Sequence, residues 1–300
     1  MAYKKAAMKK KRIYRKKKGV VRRAVRKARK SMFAKRVKTV VNRMAETKRG
    51  YYDTDSEVAF AGGMPLCNTQ SNEHSLCIKE LNPGDGTTTH STLVIGQGDG
   101  QAQRTGNVIT TCGGMLRGVV RINTAWNTTT NYNPCPVHVC LWIVSMKKHF
   151  TDQLSTLNTI ISNSFFEYGN LSQGFDGSMN DLVKVPNSAT VTVYKKRVFK
   201  LGAASYYSGT GSSAPNNNQQ RYENNDAVMS QMFRINLSKI LPKNYRFNDG
   251  SDVMTNQRRR WLFFTVHRVD NTIPITDGSS TNGPRPAFVH YAFDYRFKDI

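Results

Sequence analysis

"AFVHYAFDYRFKD", residues 287–299, alternates without a break. Val289, Tyr291, Phe293, Tyr295 and Phe297 fall on one face, and His290, Asp294, Arg296 and Lys298 fall on the other. Period-two alternation places one row of side chains in a core and the other toward water, which is the pattern of a half-buried strand. "MLRGVVRINT" (115–124) repeats it, with Leu116, Val120 and Ile122 inward and Arg117 and Arg121 opposite. "AVMSQMFRINL" (227–237) aligns Met229, Phe233, Ile235 and Leu237. "PVHVCLWIVSM" (136–146), "ATVTVYKKRVF" (189–199) and "RWLFFTVHRV" (260–269) add further strands; the first and last are apolar enough to be buried on both faces. Shorter strands are expected at 51–60, 74–80 and 104–112.

One amphipathic helix is expected at 151–162, where Thr151 or Asp152 can cap "QLSTLNTII". Two loops, 203–226 and 271–286, are long and lack an apolar pattern. The period excludes a helical bundle, and a doubly wound sheet fails because helices do not alternate with strands. The expectation is an all-β body built as a two-sheet sandwich. The eight-stranded jelly roll is one such arrangement that manages edge strands.

Charge divides the chain. Residues 1–50 hold 22 of the 45 basic residues and one acid, Glu46, hence +21, while residues 51–300 hold 23 basic and 19 acidic residues, hence +4. "MKKKRIYRKKKGVVRRAVRKARK" (8–30) has fourteen Lys or Arg in twenty-three positions and no carboxylate. Such a segment repels itself and has little to bury. The organisation read from this is a basic arm, 1–50, and a β body, 51–300.

Phosphate neutralisation is the use that best explains the arm's composition. Its cations are Lys4, Lys5, Lys9, Lys10, Lys11, Arg12, Arg15, Lys16, Lys17, Lys18, Arg22, Arg23, Arg26, Lys27, Arg29, Lys30, Lys35, Arg36, Lys38, Arg43, Lys48 and Arg49. From Val21 to Met44 apolar residues recur at near-helical spacing, so this stretch is expected to form a basic amphipathic helix on a polyanion. A membrane-surface helix is the competing use. "KKKR" (9–12), "RKKK" (15–18) and "RKARK" (26–30) also have the composition of nuclear import signals. Two clusters in the body, Tyr194 with Lys195, Lys196 and Arg197, and Arg258, Arg259 and Arg260, are additional polyanion candidates. A stacking aromatic among cations suits a single strand, and protection against aggregation is the alternative.

Catalytic and metal chemistry find no pattern. "GQGDG" (96–100) lacks the Gly-Lys-Ser/Thr ending of a phosphate loop and reads as a turn. On an extended "CPVHVC" (135–140), His138 and Cys140 share a face that Cys135 does not, so a buried-thiol strand is favoured over a zinc site. "DTDSE" (53–57) reads as a solvated strand edge. The expectation is no enzyme, no metal and no cofactor. No apolar run reaches the roughly 20 residues of a membrane span, and the basic N-terminus lacks the apolar stretch of a secretory signal. The five cysteines are then expected to be reduced thiols.

The order of parts, with the stretch "QRTGNVITTCGGMLRGVVRI" (103–122) carrying Arg104, Gly106 and Ile109 in an Arg-x-Gly-x-x-Ile pattern, resembles the capsid proteins of small circular single-stranded DNA viruses that encode a replication initiator, the circovirus-like group. Arms in that group are Arg-dominated, whereas this one mixes Lys heavily. The resemblance implies a single jelly roll, sixty copies in an icosahedral (T=1) shell, arms pointing inward onto single-stranded DNA, assembly in the host nucleus after capture by nuclear import receptors, and a cell-surface receptor on the host. Sixty arms at +21 supply roughly 1,260 positive charges, the order of the phosphates in a kilobase-scale strand. A small RNA-virus coat protein has a chemically similar arm, and a non-assembling nucleic-acid-binding or shuttle protein is the alternative outside that class.

Overall fold

The computed structural model describes residues 46–53, 58–59, 78–84, 91–100, 102–122, 136–169, 171–202, 228–247, 258–269 and 287–299, with single positions at 32, 33, 36, 37 and 40. The loops 203–226 and 271–286 lie outside the described residues. The chain forms two units, Met1–Glu46 with Ile300, and Thr47–Asp299. In the first unit Met32, Phe33, Arg36, Val37 and Val40 have helical backbone and are exposed, within the stretch expected to be helical.

The second unit contains strands β1 (Thr47–Asp53), β2 (Val58–Ala59), β3 (Lys79–Gly84), β4 (Ser91–Val94), β5 (Val108–Ile122) and β6 (Val137–Met146). Helix α1 (Leu154–Asn163) is followed by β7 (Phe166–Tyr168), β8 (Leu171–Gln173), β9 (Val191–Leu201), β10 (Ser230–Asn236), β11 (Asn244–Arg246), β12 (Trp261–Arg268) and β13 (Ala287–Asp299). The unit is mostly β-sheet, as the alternation requires.

One sheet runs β1-β13-β5-β10, with β11 also on β5 and β2 also on β13. All of these pairs are antiparallel. On β13 the five expected inward residues are buried, and Arg296 on the other face is exposed. Strand β5 differs from its reading: the expected strands 104–112 and 115–124 are replaced by one continuous strand, Val108–Ile122, fifteen residues long. The register against β13 shifts between Arg296 and Phe297, leaving Cys112 without an opposite residue. This bulge reverses the phase, so Ile109 before it and Leu116 after it both enter the core. Gly114 and Gly118 sit where neighbours leave no room for a Cβ. A Cβ on Gly118 would lie 2.5 Å from the His290 carbonyl oxygen and 2.6 Å from the Phe233 ring.

The other sheet runs β4-β3-β12-β6-β9. Its central strands are buried on both faces, as their unbroken apolar runs imply. Val139, Leu141, Ile143, Leu262 and Phe264 join Leu116, Phe233 and Tyr291 of the first sheet in one cluster. Trp142, Phe263 and Trp261 point the other way, into a cluster with Leu157, Ile160 and Ile161 of α1. The Trp142 ring meets the edges of Phe165 and Phe175 at centroid distances of 5.3 and 5.7 Å. A buried polar chain crosses this layer. Trp142 Nε1 donates to Thr265 Oγ1 (3.1 Å), which gives its own proton to His267 Nε2 (2.9 Å), so Nδ1–H donates to the Ser178 carbonyl (2.8 Å). Burial holds His267 neutral, lowering its pKa to about 4.

Three local expectations are corrected. Helix α1 starts at Leu154 behind Gln153, with no side-chain cap. Asp152 accepts instead from the Arg259 backbone N–H (2.6 Å) and Trp261 Nε1 (3.4 Å), tying down the start of β12. Met229 is 48 % exposed and lies before β10 rather than in the core. The division between arm and body falls at Glu46/Thr47, not at residue 50, because Thr47–Asp53 pairs with β13 throughout.

Gly118→Val is expected to destabilise the body by about 1–3 kcal/mol through overpacking. Gly113→Ala, whose Cβ would meet only Ser238 Oγ at 3.7 Å, is expected to cost less than about 0.5 kcal/mol. Denaturant unfolding of the two variants checks the contrast.

Candidate nucleic-acid interface

Strand β1 follows the arm in sequence, and its two cations, Lys48 and Arg49, have partners within the body. Lys48 faces inward and is 8 % exposed. Its Nζ donates to the Gln103 carbonyl at 2.8 Å and lies 3.7 Å from Asp299 Oδ2. Arg49 faces outward and holds both oxygens of Asp294, Nε at 2.8 Å and Nη2 at 3.2 Å. This fork geometry pushes the Arg49 pKa up and fixes β1 to β13. Lys48 and Arg49, read from composition as phosphate contacts, therefore have intramolecular partners. Of the remaining arm cations, from Lys4 to Arg43, Arg36 alone is among the described residues; it is exposed and helical.

The Arg104, Gly106 and Ile109 pattern is brought together as a clasp. Arg104 is fully buried. Its backbone N–H donates to Gly96 O (2.9 Å), and its carbonyl accepts from the Gly98 N–H (2.8 Å). Arg104 Nη1 donates to Gly106 O (2.9 Å), and the guanidinium stacks 4.2 Å from the centre of the Phe247 ring. Ile109 is buried in the core. Asp299, which the sequence reading did not single out, closes the clasp: Thr105 donates through its backbone N–H and through Oγ1 (2.6 Å), and Gly106 through its N–H (3.1 Å). Burial alone pushes the Asp299 carboxyl up, but these hydrogen bonds and Lys48 together hold it below the ordinary aspartate value. The role of Arg104 and Gly106 in this chain is to lock the turn that follows "GQGDG", in which Gln103 N–H donates to Gly100 O (3.0 Å).

The two body clusters meet, but as braces. Arg260 lies over the Tyr194 ring at 4.4 Å, covering a face that a base would need. Arg260 Nε and Nη1 donate to the Ile240 and Arg258 carbonyls (3.3 and 3.0 Å). Arg258 donates to the carbonyls of Phe150 and Lys148, and Arg259 pairs with Glu80 at 3.3 Å. Lys196 Nζ donates to the Leu182 carbonyl at 2.6 Å and sits 4.6 Å from the Trp142 ring. Arg197 packs on Phe199 (5.0 Å), and Lys195 is exposed.

Among the described residues no group of three or more His, Cys, Asp or Glu has metal-binding geometry. Cys140 is a buried free thiol whose pKa burial pushes up to about 12; Cys112 is free and exposed. No helix among the described residues is long and apolar enough to cross a membrane. Compared with known proteins, the chain matches no protein-family model, and no curated protein matches it.

A depressed carboxylate stabilises the fold above its unfolded pKa of about 3.9, and that contribution is lost as pH falls through the lower folded value. Asp299→Asn is therefore expected to lower the thermal midpoint at neutral pH by about 2–4 °C and to flatten its fall on acidification below about pH 4. A pH series of melting curves for both proteins checks this.

Proposed function

We propose that the chain is a viral capsid protein, similar in plan to those of the circovirus-like group, which assembles into an icosahedral shell and packages single-stranded circular DNA through its arm. The observation that carries the reading is the concentration of cations ahead of Thr47. With Lys48 and Arg49 tied into β1, 20 basic residues and Glu46 remain in the arm, hence +19. Sixty such arms supply roughly 1,140 charges, still the order of a kilobase-scale strand.

The strand order supports a single eight-stranded jelly roll for the body. Numbered along the chain, β1, β3, β5, β6, β9, β10, β12 and β13 lie in the orders 1-8-3-6 and 2-7-4-5. Each outer-to-inner pair, 1 with 8, 2 with 7, 3 with 6 and 4 with 5, is antiparallel. A long hairpin rolled over on itself yields this nesting. In this reading lateral contacts between some sixty bodies close the shell, the arms line its interior, and no catalytic or cofactor chemistry is needed. Before assembly the same arm cations engage nuclear import receptors, so the protein passes through the host nucleus to the virion; a host cell-surface receptor meets the finished particle.

Deleting residues 1–45 is expected to leave particles or folded subunits devoid of nucleic acid and excluded from the nucleus. Normal encapsidation by the truncated chain would refute the arm assignment. Nuclease digestion of the packaged material distinguishes DNA from the RNA cargo of an RNA-virus coat.

A further inference from the structure

On the side of the second sheet away from the shared core, residues 174–185 run as a strap that includes a short 3₁₀ turn, Met179–Leu182. Its Phe175 packs on Trp142 and Phe263, at centroid distances of 5.7 and 6.2 Å. The strap carries its own internal bracing. Gly177 takes a φ of 79°, and the fully buried Asp181 accepts from the backbone N–H groups of Asp176 (3.0 Å) and Gly177 (2.8 Å). Lys184 Nζ donates to Asp176 and to Asp181, at 2.8 Å each. Two polar ties join this braced segment to the sheet: Lys196 of β9 donates to the Leu182 carbonyl, and His267 of β12 donates to the Ser178 carbonyl.

The second tie accommodates only a neutral ring. His267 is fully buried. Along Trp142, Thr265, His267 and Ser178 each polar hydrogen has one acceptor. A proton added at Nε2 would point at Thr265 Oγ1, and the Thr265 hydroxyl hydrogen would lose its acceptor, with no other among the described residues. A buried charge and an unsatisfied buried hydroxyl both disfavour the closed state. The ionisable groups around the ring do not reverse this. His138 stands opposite on β6, with Lys200 beyond it on β9, and in the strap Asp176 and Asp181 are both engaged by Lys184.

We propose that His267 is an acid-sensitive latch: a proton taken up at Nε2 releases the strap from β12 and uncovers the aromatic layer around Trp142, while the two-sheet core stays closed. Burial keeps the ring's pKa near 4 in the closed state, although the Ser178 and Gly177 carbonyls and Asp176 favour its charged form. A solvated histidine titrates near 6.5. The released state therefore binds the proton first, so the latch is at full strength above about pH 6.5 and is lost progressively down to about pH 4. Burial raises the Asp181 carboxyl, so its protonation favours the closed strap and cannot drive release. Burial pushes Asp176 up, but hydrogen bonds from Lys184 and Ser178 bring it down to about 2, so it stays charged through this range. The inference concerns the body alone and stands apart from the function proposed above.

Hydrogen-exchange mass spectrometry on the full chain, corrected for the intrinsic pH dependence of exchange, tests it. Opening of residues 174–185 is expected to rise on the order of 20-fold between pH 7 and pH 5, with β13 still protected. His267→Gln retains a neutral donor and is expected to cut that rise to less than about threefold. Asp181→Asn is expected to loosen the strap at every pH yet keep the rise. Histidine-selective NMR of the native chain gives a reading that needs no folded variant. There the ring is expected to stay neutral, with its proton on Nδ1, down to the pH at which the strap opens.

Exchange that is flat across this range would overturn the inference, as would a charged His267 ring beneath a closed strap. So would an equal rise in His267→Gln, which would assign the sensing to His138. Opening of β13 together with the strap would show general acid unfolding in place of a latch.

Discussion

Strand β13 is hydrogen-bonded along both edges, to β1 and to β5, and the body is organised around that double pairing. Its inward row of Val289, Tyr291, Phe293, Tyr295 and Phe297 fills the core shared with the second sheet. Its last residue with a described role, Asp299, receives the turn at Thr105–Gly106 and approaches Lys48. One strand thereby fixes β1, the start of β5 and the floor of the core. Burial of these large side chains, at roughly 25 cal/mol per Å² of apolar surface, favours the arrangement; the paired backbone removes the cost of unsatisfied N–H and C=O groups.

Charge follows the same division as the fold. Cations that composition offers to a polyanion, in the arm or in the body clusters, have partners: Asp294 for Arg49, Asp299 for Lys48, Glu80 for Arg259. Others, such as Arg258 and Lys196, donate to backbone carbonyls and hold loops in place. By composition the segment before Thr47 holds 20 basic residues against the single acid Glu46. A concentration of like charge costs self-repulsion, which the packaged strand of the proposed function would relieve.

Much of the architecture was legible because periodicity is local. The alternation of 287–299 and the unbroken apolar runs of 136–146 and 260–269 predicted which faces are buried. The continuity of β5 was not legible: Gly113, Gly114 and the bulge at Cys112 break the alternation, and the break is mended only by the register against β13. Asp152 reads as a helix cap until the segment entering β12, more than a hundred residues later, presents Arg259 and Trp261 to it. The arm was legible from composition, but the fate of Lys48 and Arg49 was not, since Arg49 finds its carboxylate 245 residues away. Arg117 and Arg121 could be placed on one face from sequence. That Arg117 stands opposite Arg234 requires the pairing of β5 with β10.

The central claim is that tethered cations neutralise an enclosed strand. Purified assemblies imaged by electron microscopy, with phosphorus and protein content measured on the same sample, test it most directly. The account predicts closed cages carrying on the order of twenty phosphates per subunit, near the charge of one arm. Protein that stays unassembled with and without nucleic acid, or cages with a normal arm and negligible phosphorus, would contradict it.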